Sequence, residues 1–377
     1  MSTQKPHTPT SRPNMAAVTP HRVTRTYVYT LTAILSLWLV PLGLNVLVDP
    51  LWHFAGNQLG PYNYAFNERL SKANLFNRRL DDEDNPLDCL ILGSSRTTLL
   101  DVHQIPGRNC FNYAVSQAGL ADDLSIAEYV LARGAHPSVI IAGLDGFLFS
   151  ENHAGTHEQM PTFYQTGGKP ASAIASYMSI DALSFTLRTL EQEPPNERYY
   201  DHAFVVHAVP NAGPFEPEHS LEVPEELTPD QSFNQFSLGP FSPRPELKRF
   251  RALFPKAELI AYVPPVTVQY AAKLELAGTL DSYLAAIHEA CDHFDAVYDF
   301  SIPSSITRDP SNTYDGSHFY KEVNDRIARH LGSEDVPLRA GIAVHKLSLS
   351  EYKRRFRSEV TRYLASLDPK HRPTVQP

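Results

Sequence analysis

The chain has 377 residues, of which 42% are hydrophobic and 20% are charged, and this composition is typical of a folded globular protein. Because the first 48 residues hold four of the 33 basic side chains and no acid, the remainder holds 29 basic against 42 acidic residues. An acidic body of this kind repels the phosphate backbone of DNA and RNA, so we expect no nucleic-acid partner.

The N-terminal region combines a polar tail with an apolar segment. Residues 1–26 contain four prolines and predict a disordered cytoplasmic tail. Residues 27–49 include 22 consecutive residues without a charge, enough for a transmembrane helix of about 20 residues. Basic residues precede this segment and Asp49 follows it. The positive-inside rule therefore predicts a single-pass anchor in the inner (cytoplasmic) membrane, with the body outside the cytoplasm and periplasmic in a two-membrane bacterium. A cleaved signal peptide is the alternative, but no small-residue cleavage site follows.

Residues 50–332 are predicted to form one α/β domain, which begins with a polar connector over 50–85. Short buried runs then alternate with helical patterns. The predicted strands cover residues 87–92, 109–115, 138–145, 257–264 and 295–300. The helical patterns cover 122–134, with Asp122 as the expected cap, and 279–294. This alternation predicts a mostly parallel sheet with helices on both faces, as in a three-layer α/β/α sandwich.

An insertion at about 150–250 interrupts this alternation. It contains a helical pattern over 171–190 and then a segment rich in proline and acid. An insertion of this length is either functional or disordered, and we expect a lid or a substrate-binding excursion. His153 and His157 have a spacing that binds metal on a helix, but Gly155 between them argues against a helix. We therefore expect neither a metal ion nor another cofactor.

The C-terminal extension, residues 333–377, contains an amphipathic pattern from Leu349 to Leu367 with many basic residues between the apolar ones. Such a helix either lies on an anionic membrane surface or packs on its own domain, and the second arrangement is the commoner.

The three cysteines give an odd count. In an oxidising compartment Cys89 and Cys110, each near the start of a predicted strand, can form a disulfide. Two buried free thiols are the commoner arrangement for such residues.

Two short stretches carry the candidate chemistry. Gly93, Ser94 and Ser95 follow the first predicted strand, at the end of a parallel strand where ligands bind. Asp315 and His318 lie three residues apart in "YDGSHF", just before a helical pattern. A serine nucleophile needs a base and a group that orients it, which these residues can supply. Alternatively, the serine turn caps a helix or binds an anion, and Asp315 caps the following helix.

The order of these stretches in an α/β pattern resembles the SGNH/GDSL-type hydrolase superfamily over residues 86–332. It is specifically similar to the membrane-anchored envelope branch, which includes relatives of alginate O-acetyltransferases and of teichoic-acid D-alanyl transfer proteins. In this resemblance "ILGSSRT", "FNYAVSQAG", "VIIAGLDGF" and "YDGSHF" correspond to the four family blocks. It implies that Ser95 is the nucleophile, His318 the base and Asp315 its partner.

The resemblance also implies an oxyanion hole, at positions where this sequence departs from the family. Gln117 stands where the second block usually has glycine, and Asp145 where the third usually has asparagine. The backbone N–H of Gln117 can still donate, whereas Asp145 can donate only when protonated, and a hole formed by the Ser95 and Gln117 amides is the alternative. Ser94 and Arg96 are assigned to substrate binding, with pairing of Arg96 to an acid on the first helix as the alternative.

The leading hypothesis is a membrane-anchored serine esterase or O-acyltransferase that acts on a cell-envelope polysaccharide through an acyl-enzyme. The resemblance further suggests an acyl-ester substrate and a partner membrane protein that delivers the acyl group. A catalytically inactive binding or assembly subunit is the alternative, because the second and third blocks are altered. An anion-binding module that uses the amides after the first strand is a third hypothesis.

Overall fold

A computed structural model describes residues 20–60, 62–64, 67–80, 86–151, 170–191, 198–208, 215–216, 221, 223, 236–333 and 340–367. Most of the predicted N-terminal tail, residues 1–19, lies outside this described part. His153 and His157 also lie outside it, as do large parts of the predicted lid.

The N-terminal helix α1 extends over Pro20–Val48. Thr24–Val48 is long and apolar enough to cross a membrane. The helix therefore begins seven residues before the predicted boundary at Tyr27, because the polar residues that precede the apolar segment continue the same helix. Side chains from Thr24 to Val40 are exposed, and those from Pro41 onward begin to pack on the body.

The described residues form a six-stranded sheet in the order β2-β1-β3-β6-β7-β8. The strands are β1 (Cys89–Leu92), β2 (Cys110–Asn112), β3 (Val139–Gly143), β6 (Glu258–Val263), β7 (Ala296–Asp299) and β8 (Ile342–Ala343). A separate two-stranded hairpin comprises β4 (Arg198–Tyr200) and β5 (Val206–Ala208). All pairs in the main sheet are parallel except β7 with β8. The predicted α/β class and mostly parallel sheet are thus confirmed, and β8 is an additional edge strand.

Helices fill most of the connections. They are α2 (Glu68–Leu80), α3 (Leu120–Ala132), α4 (Pro170–Tyr177), α5 (Ile180–Leu190), α6 (Lys248–Leu253), α7 (Val268–Leu276), α8 (Leu280–Glu289), α9 (Lys321–Gly332) and α10 (Leu349–Ser366). Asp122 is not the cap residue of α3, because Gly119 occupies that position. The Asp122 carboxylate instead accepts the Gly119 N–H from inside the first turn, at 3.0 Å. The single helix expected over 171–190 is two helices, and Ser179 caps the second.

Both faces of the strands are buried, and the sequences of the strands are therefore continuous apolar runs. In β1, Leu90 and Leu92 enter one hydrophobic cluster, whereas Ile91 enters another. Successive side chains of a strand point to opposite faces, so the two clusters lie on opposite sides of the sheet. The first cluster includes side chains of α2, α3, α6, α7, α8 and α10, and the second includes side chains of α9.

Cys89 and Cys110 form a disulfide rather than two free thiols. The parallel register of β1 and β2 places these residues directly opposite each other, with their Cα atoms 4.2 Å apart. Cys291 has a free thiol, and burial, aided by Asp292, raises its pKa to about 12.

The C-terminal helix α10 packs on the domain. Its residues Tyr352, Phe356 and Val360 are fully buried in the first cluster. The Tyr352 hydroxyl donates to the buried Asp299 at the end of β7, at 2.5 Å. Basic residues of α10 face solvent and form ion pairs, such as the one between Arg357 and Glu275.

Candidate active site

The turn after β1 exposes one hydroxyl. Among residues 89–100, Ser95 is the single residue that is not buried. Gly93 has a φ of 141°, a conformation that favours glycine, and it lets the chain turn directly into a short 3₁₀ helix, Thr97–Leu99. In the described part of the chain the Ser95 amide N–H donates to no acceptor. Ser95 therefore presents both a hydroxyl and an unused amide hydrogen.

Neighbouring polar groups hold this turn in place. The Asn112 amide at the end of β2 donates to the carbonyls of Thr97 and Leu100, at 2.9 and 3.0 Å. The Thr98 hydroxyl donates to the Ser95 carbonyl at 2.7 Å. These bonds fix the backbone that carries the Ser95 side chain.

His318 lies against Ser95, although 223 positions separate them in the chain. The Ser95 Oγ is 2.8 Å from His318 Nε2, and His318 Nδ1 is 2.6 Å from Asp315 Oδ2. Because a carboxylate only accepts, Nδ1 carries the hydrogen in this network and Nε2 is left to accept from the serine. The structure thus brings together the three residues that the sequence assigns to catalysis.

Hydrogen bonds and a stacked ring hold the loop that carries Asp315 and His318. Asp315 Oδ1 accepts the backbone N–H groups of Ser317 and His318, at 2.8 and 2.7 Å. The Tyr314 ring stacks on the imidazole, with the ring centroids 5.5 Å apart. Asp315 does not cap a helix, because α9 begins six residues later at Lys321.

The Asp315 carboxyl is stabilised as an anion. Burial acts to raise its pKa, but the hydrogen bond and charge of His318, with the two backbone N–H groups, outweigh that effect. Together they lower the pKa from 3.8 to about 2. An orienting group that stays ionised at all moderately acidic pH values suits a base that must hold one tautomer.

We expect Asp315→Asn to remove a pH-dependent part of the stability. The pKa of Asp315 is lower in the folded protein, about 2, than its ordinary 3.8, so folding favours its ionised form. This stabilisation is complete above pH 3.8 and is lost as the pH falls through about 2. Urea unfolding of the full chain in detergent should therefore show a difference between parent and variant that shrinks on acidification over this range. A difference that stays constant would contradict the assignment.

The side chains on either side of Ser95, those of Ser94 and Arg96, are buried. Ser94 is 1% exposed, and its hydroxyl accepts the Arg96 N–H. Arg96 is 4% exposed and forms an ion pair with the fully buried Asp145, at 2.8 Å. Its partner is thus an acid at the end of β3 and not one on the first helix. Asp145 accepts from the guanidinium through Oδ1, and its Oδ2 has no hydrogen-bond partner among the described residues. Ser94 and Arg96 thus make buried contacts within the protein and do not face solvent.

Gln117 lies in a turn after β2 and is exposed. Its φ is 61°, the left-handed conformation that favours glycine. The Val115 N–H donates to the Gly93 carbonyl at 2.9 Å, which ties this turn to the serine turn. The backbone therefore has a shape suited to the glycine of the family pattern, although glutamine occupies the position.

We expect Gln117→Gly to leave activity unchanged, because a donor at this position is a backbone N–H that the substitution keeps. Relief of the left-handed strain, about 1–2 kcal/mol, is partly offset by the entropy of glycine, about 0.5–1 kcal/mol. The thermal midpoint should therefore stay or rise slightly. A large loss of activity at unchanged stability would show that the glutamine side chain itself takes part.

Arg198 of β4 is a site residue that the sequence does not indicate. Its guanidinium donates to the Ser95 carbonyl at 3.0 Å, to the Thr98 hydroxyl at 2.8 Å and to the Ser116 hydroxyl at 2.8 Å. It therefore joins the serine turn to the Gln117 turn. The predicted insertion thus contributes a positioning residue. In the sequence this residue is a single arginine in "NERYY", and no motif around it indicates the role.

Arg198 belongs to a buried group of charged and polar side chains that includes residues of the predicted connector. Glu68 of α2 accepts from the Tyr200 hydroxyl and from the Ser116 N–H, the latter at 2.5 Å. Lys72 is 1% exposed and donates to the Ala114 carbonyl. Burial lowers the Lys72 pKa to about 8, although the charge of Glu68 opposes this shift.

A second carboxyl lies beneath the serine turn. Asp123 of α3 is 1% exposed and lies close to the Gly93 backbone. Burial raises its pKa well above the ordinary value, and the nearby Asp122 and Asp145 carboxylates add to this effect.

Comparison of the sequence with models of known protein families and with curated proteins finds no match. A solvent-accessible hydroxyl, an imidazole nitrogen within hydrogen-bond distance and a carboxylate behind the imidazole can together carry out nucleophilic acyl transfer.

Proposed function

We propose that this protein is a membrane-anchored serine esterase or O-acyltransferase that acts on a cell-envelope polysaccharide. The observation that carries the proposal is the hydrogen-bonded series from Ser95 through His318 to Asp315. The two residues are 223 positions apart in the chain, and their 2.8 Å contact lies at a solvent-accessible turn. Packing of the core does not require a hydrogen bond at such a place.

In the proposed reaction, the Ser95 Oγ attacks the carbonyl carbon of an acyl ester while His318 Nε2 takes the hydroxyl proton. Asp315 stabilises the imidazolium that forms. The tetrahedral intermediate then collapses, and His318 returns the proton to the departing alcohol oxygen. The resulting acyl-serine passes its acyl group to water or to a sugar hydroxyl by the same steps in reverse.

The negative oxygen of the intermediate needs donors, and the available candidate is the Ser95 amide, which has no acceptor within the described residues. We propose the Gln117 amide as the second donor, since its turn is tied to the serine turn through Gly93 and Arg198. Each such donor contributes roughly 100- to 1,000-fold in rate.

The fold supports membership of the SGNH-type superfamily. The strands β2, β1, β3, β6 and β7 are parallel and lie in that order, so the chain adds β2 on one side of β1 and the later strands on the other. The order of the strands thus reverses next to β1, and Ser95 follows β1 at that point. Ligands of open parallel sheets bind at such a position. The two hydrophobic clusters on opposite faces of the sheet fit the three-layer α/β/α sandwich of that superfamily.

Two features support a body outside the cytoplasm. The exposed apolar part of α1 fits a membrane anchor, and basic residues before it favour a cytoplasmic N-terminus in the inner membrane. The disulfide between Cys89 and Cys110 favours an oxidising compartment such as the periplasm. The envelope polysaccharide and a membrane partner that donates acyl groups follow from the resemblance to the envelope branch.

The test is covalent labelling of the full chain with a serine-reactive fluorophosphonate, followed by mass spectrometry of the labelled peptide. We expect one phosphonyl group on Ser95, and none in the Ser95→Ala variant. His318→Ala should also fail to label, because the hydroxyl then lacks its base. Folded protein that reacts with the probe at no residue would reject the enzymatic proposal.

A further inference from the structure

Outside α1, exposed large apolar side chains in the described part of the chain occur in two places only. These are the segment directly after α1 and a helical hairpin over residues 170–190, formed by α4 and α5 and here called the α4–α5 hairpin. The residues are Phe54, Leu59, Ile174, Met178, Ile180 and Leu187. Ile180 is 84% exposed, the largest value in this set. The two places adjoin, because the ring of Phe54 lies 6.4 Å from that of Tyr177 at the end of α4. Exposed apolar side chains that are concentrated in this way indicate an interaction surface.

The helix α5 presents three distinct sides. Ala182, Thr186 and Thr189 are buried against the body. At 100° per residue, Ile180, Leu183, Leu187 and Leu190 form a second, apolar side, which is exposed or half-exposed. Asp181, Ser184 and Arg188 form a polar side next to it. An apolar stripe that faces away from the core, flanked by polar residues, is the pattern of a helix that lies in a membrane interface.

The hairpin is fixed to the C-terminal end of α1. The Asn45 amide donates to the Tyr177 carbonyl at 2.8 Å, and the Tyr177 hydroxyl donates to Asp49. His53 Nε2 lies 2.9 Å from the Ser176 hydroxyl. Asn45, Asp49 and Tyr177 are nearly inaccessible to solvent, so this is a packed joint and not a chance surface contact.

The position of this joint along α1 matches a membrane surface. From Tyr27, where the uncharged segment begins, to Asn45, where the joint begins, α1 rises about 27 Å at 1.5 Å per residue. This is close to the roughly 30 Å of a hydrocarbon core. The joint therefore lies where such a helix leaves the bilayer on the side of the body.

We propose that the α4–α5 hairpin inserts its apolar stripe, with Met178 and Ile180 at its tip, into the lipid interface next to α1. The bilayer is the occupant, because the exposed apolar surface of the hairpin adjoins that of α1. This contact would hold the body in one orientation and so set the height of Ser95 above the membrane. The inference rests on the proposal that α1 spans a membrane, but it does not depend on the chemistry at Ser95.

The test uses the full chain with Cys291→Ser, in which the two remaining cysteines are joined in the disulfide. Single cysteines at Ile180, Leu37 and Ala252 each carry an environment-sensitive fluorophore, and the proteins are reconstituted into lipid vesicles. Leu37 lies in the exposed part of α1, and Ala252 is an exposed residue of α6 outside the proposed surface. Nitroxide-labelled lipids then quench fluorophores that contact the bilayer at the depth of the nitroxide.

We expect the label at 180 to emit at shorter wavelength than the label at 252, and to be quenched several-fold more strongly. Quenching at 180 should be greatest with nitroxides near the headgroup, since interfacial helices sit only about 5–10 Å deep. The label at 37 should respond most to nitroxides deep in the bilayer. If 37 is quenched and 180 is not, the hairpin inference is wrong and the anchor stands. A label at 180 that emits at short wavelength but is not quenched also contradicts the inference, because the surface is then covered by protein and not by lipid. No quenching at 37 rejects the anchor and the inference with it.

Discussion

Ser95→Ala and His318→Ala are each expected to lower the turnover of an activated acetyl ester by about 10⁴- to 10⁶-fold. Alanine at 95 removes the attacking oxygen, and alanine at 318 removes the imidazole whose Nε2 lies 2.8 Å from it. Because the two residues act as one unit, the double variant should be no slower than the slower single variant. The measurement is kcat/KM of the full chain in detergent.

Asp315→Asn is expected to cost about 10⁴-fold, because asparagine favours the wrong imidazole tautomer. Ser94→Ala is the matched control, since it removes the adjacent hydroxyl, which is buried and does not reach solvent. We expect it to retain most of the activity. Equal turnover in the parent and Ser95→Ala, or additive losses in the double variant, would mean that another group performs the reaction.

The inactive-subunit hypothesis makes a different prediction for the same variants. It draws support from the altered third block, in which Asp145 forms a buried ion pair with Arg96. A parent protein without measurable ester turnover, in which Ser95→Ala changes nothing, would favour it. The Ser95 amide without an acceptor among the described residues and the ionised Asp315 favour the enzymatic hypothesis, because a binding subunit requires neither.

The sheet could be predicted from the sequence because its strands are buried on both faces. Continuous apolar runs of four to six residues between turn residues leave few alternatives to a parallel sheet. β8 could not be predicted, because its two residues, Ile342–Ala343, form no pattern. The helix over 171–190 was predicted without its break, since nothing in "SYMSID" except Ser179, a capping residue, marks the boundary.

The three candidate catalytic residues could be proposed from the sequence because each lies beside a recognisable local pattern. Arg198 and Glu68 could not, since their roles depend on contacts across 103 and 48 positions. The α2 sequence is polar and suggests a solvent-exposed connector, yet Lys72 is buried and Glu68 half-buried, because their polar groups are paired with neighbouring groups. Periodicity rules assume that buried residues are apolar, and they fail where a polar network fills the core.

Gly143→Ala is expected to be among the most damaging single-methyl changes in the protein. A Cβ at Gly143 would lie 1.8 Å from Thr97 Oγ1 and 3.0 Å from Thr97 Cβ. Thr97 is fully buried behind the serine turn, and its hydroxyl accepts from Tyr262 at 3.0 Å, so it cannot move aside freely. Overpacking of this kind costs about 1–3 kcal/mol of stability, and a shift of about 1 Å at the site costs about 100-fold in rate.

A double-mutant cycle with Thr97→Ala separates this clash from a general loss of stability. Thr97→Ala alone leaves the Tyr262 hydroxyl unpaired, at a cost of about 1–3 kcal/mol, but it removes the atom that a methyl group at position 143 would strike. The double variant should therefore be more stable than the sum of the single changes by about 0.5–3 kcal/mol, and it should recover part of the lost activity. Gly43→Ala in α1, where an added Cβ meets no described atom within 4 Å beyond the neighbouring helix backbone, is the control and should be neutral or stabilising by up to about 1 kcal/mol. Additive effects would mean that β3 and the serine turn do not press against each other at Thr97, and the geometry that places Ser95 against His318 would need another explanation.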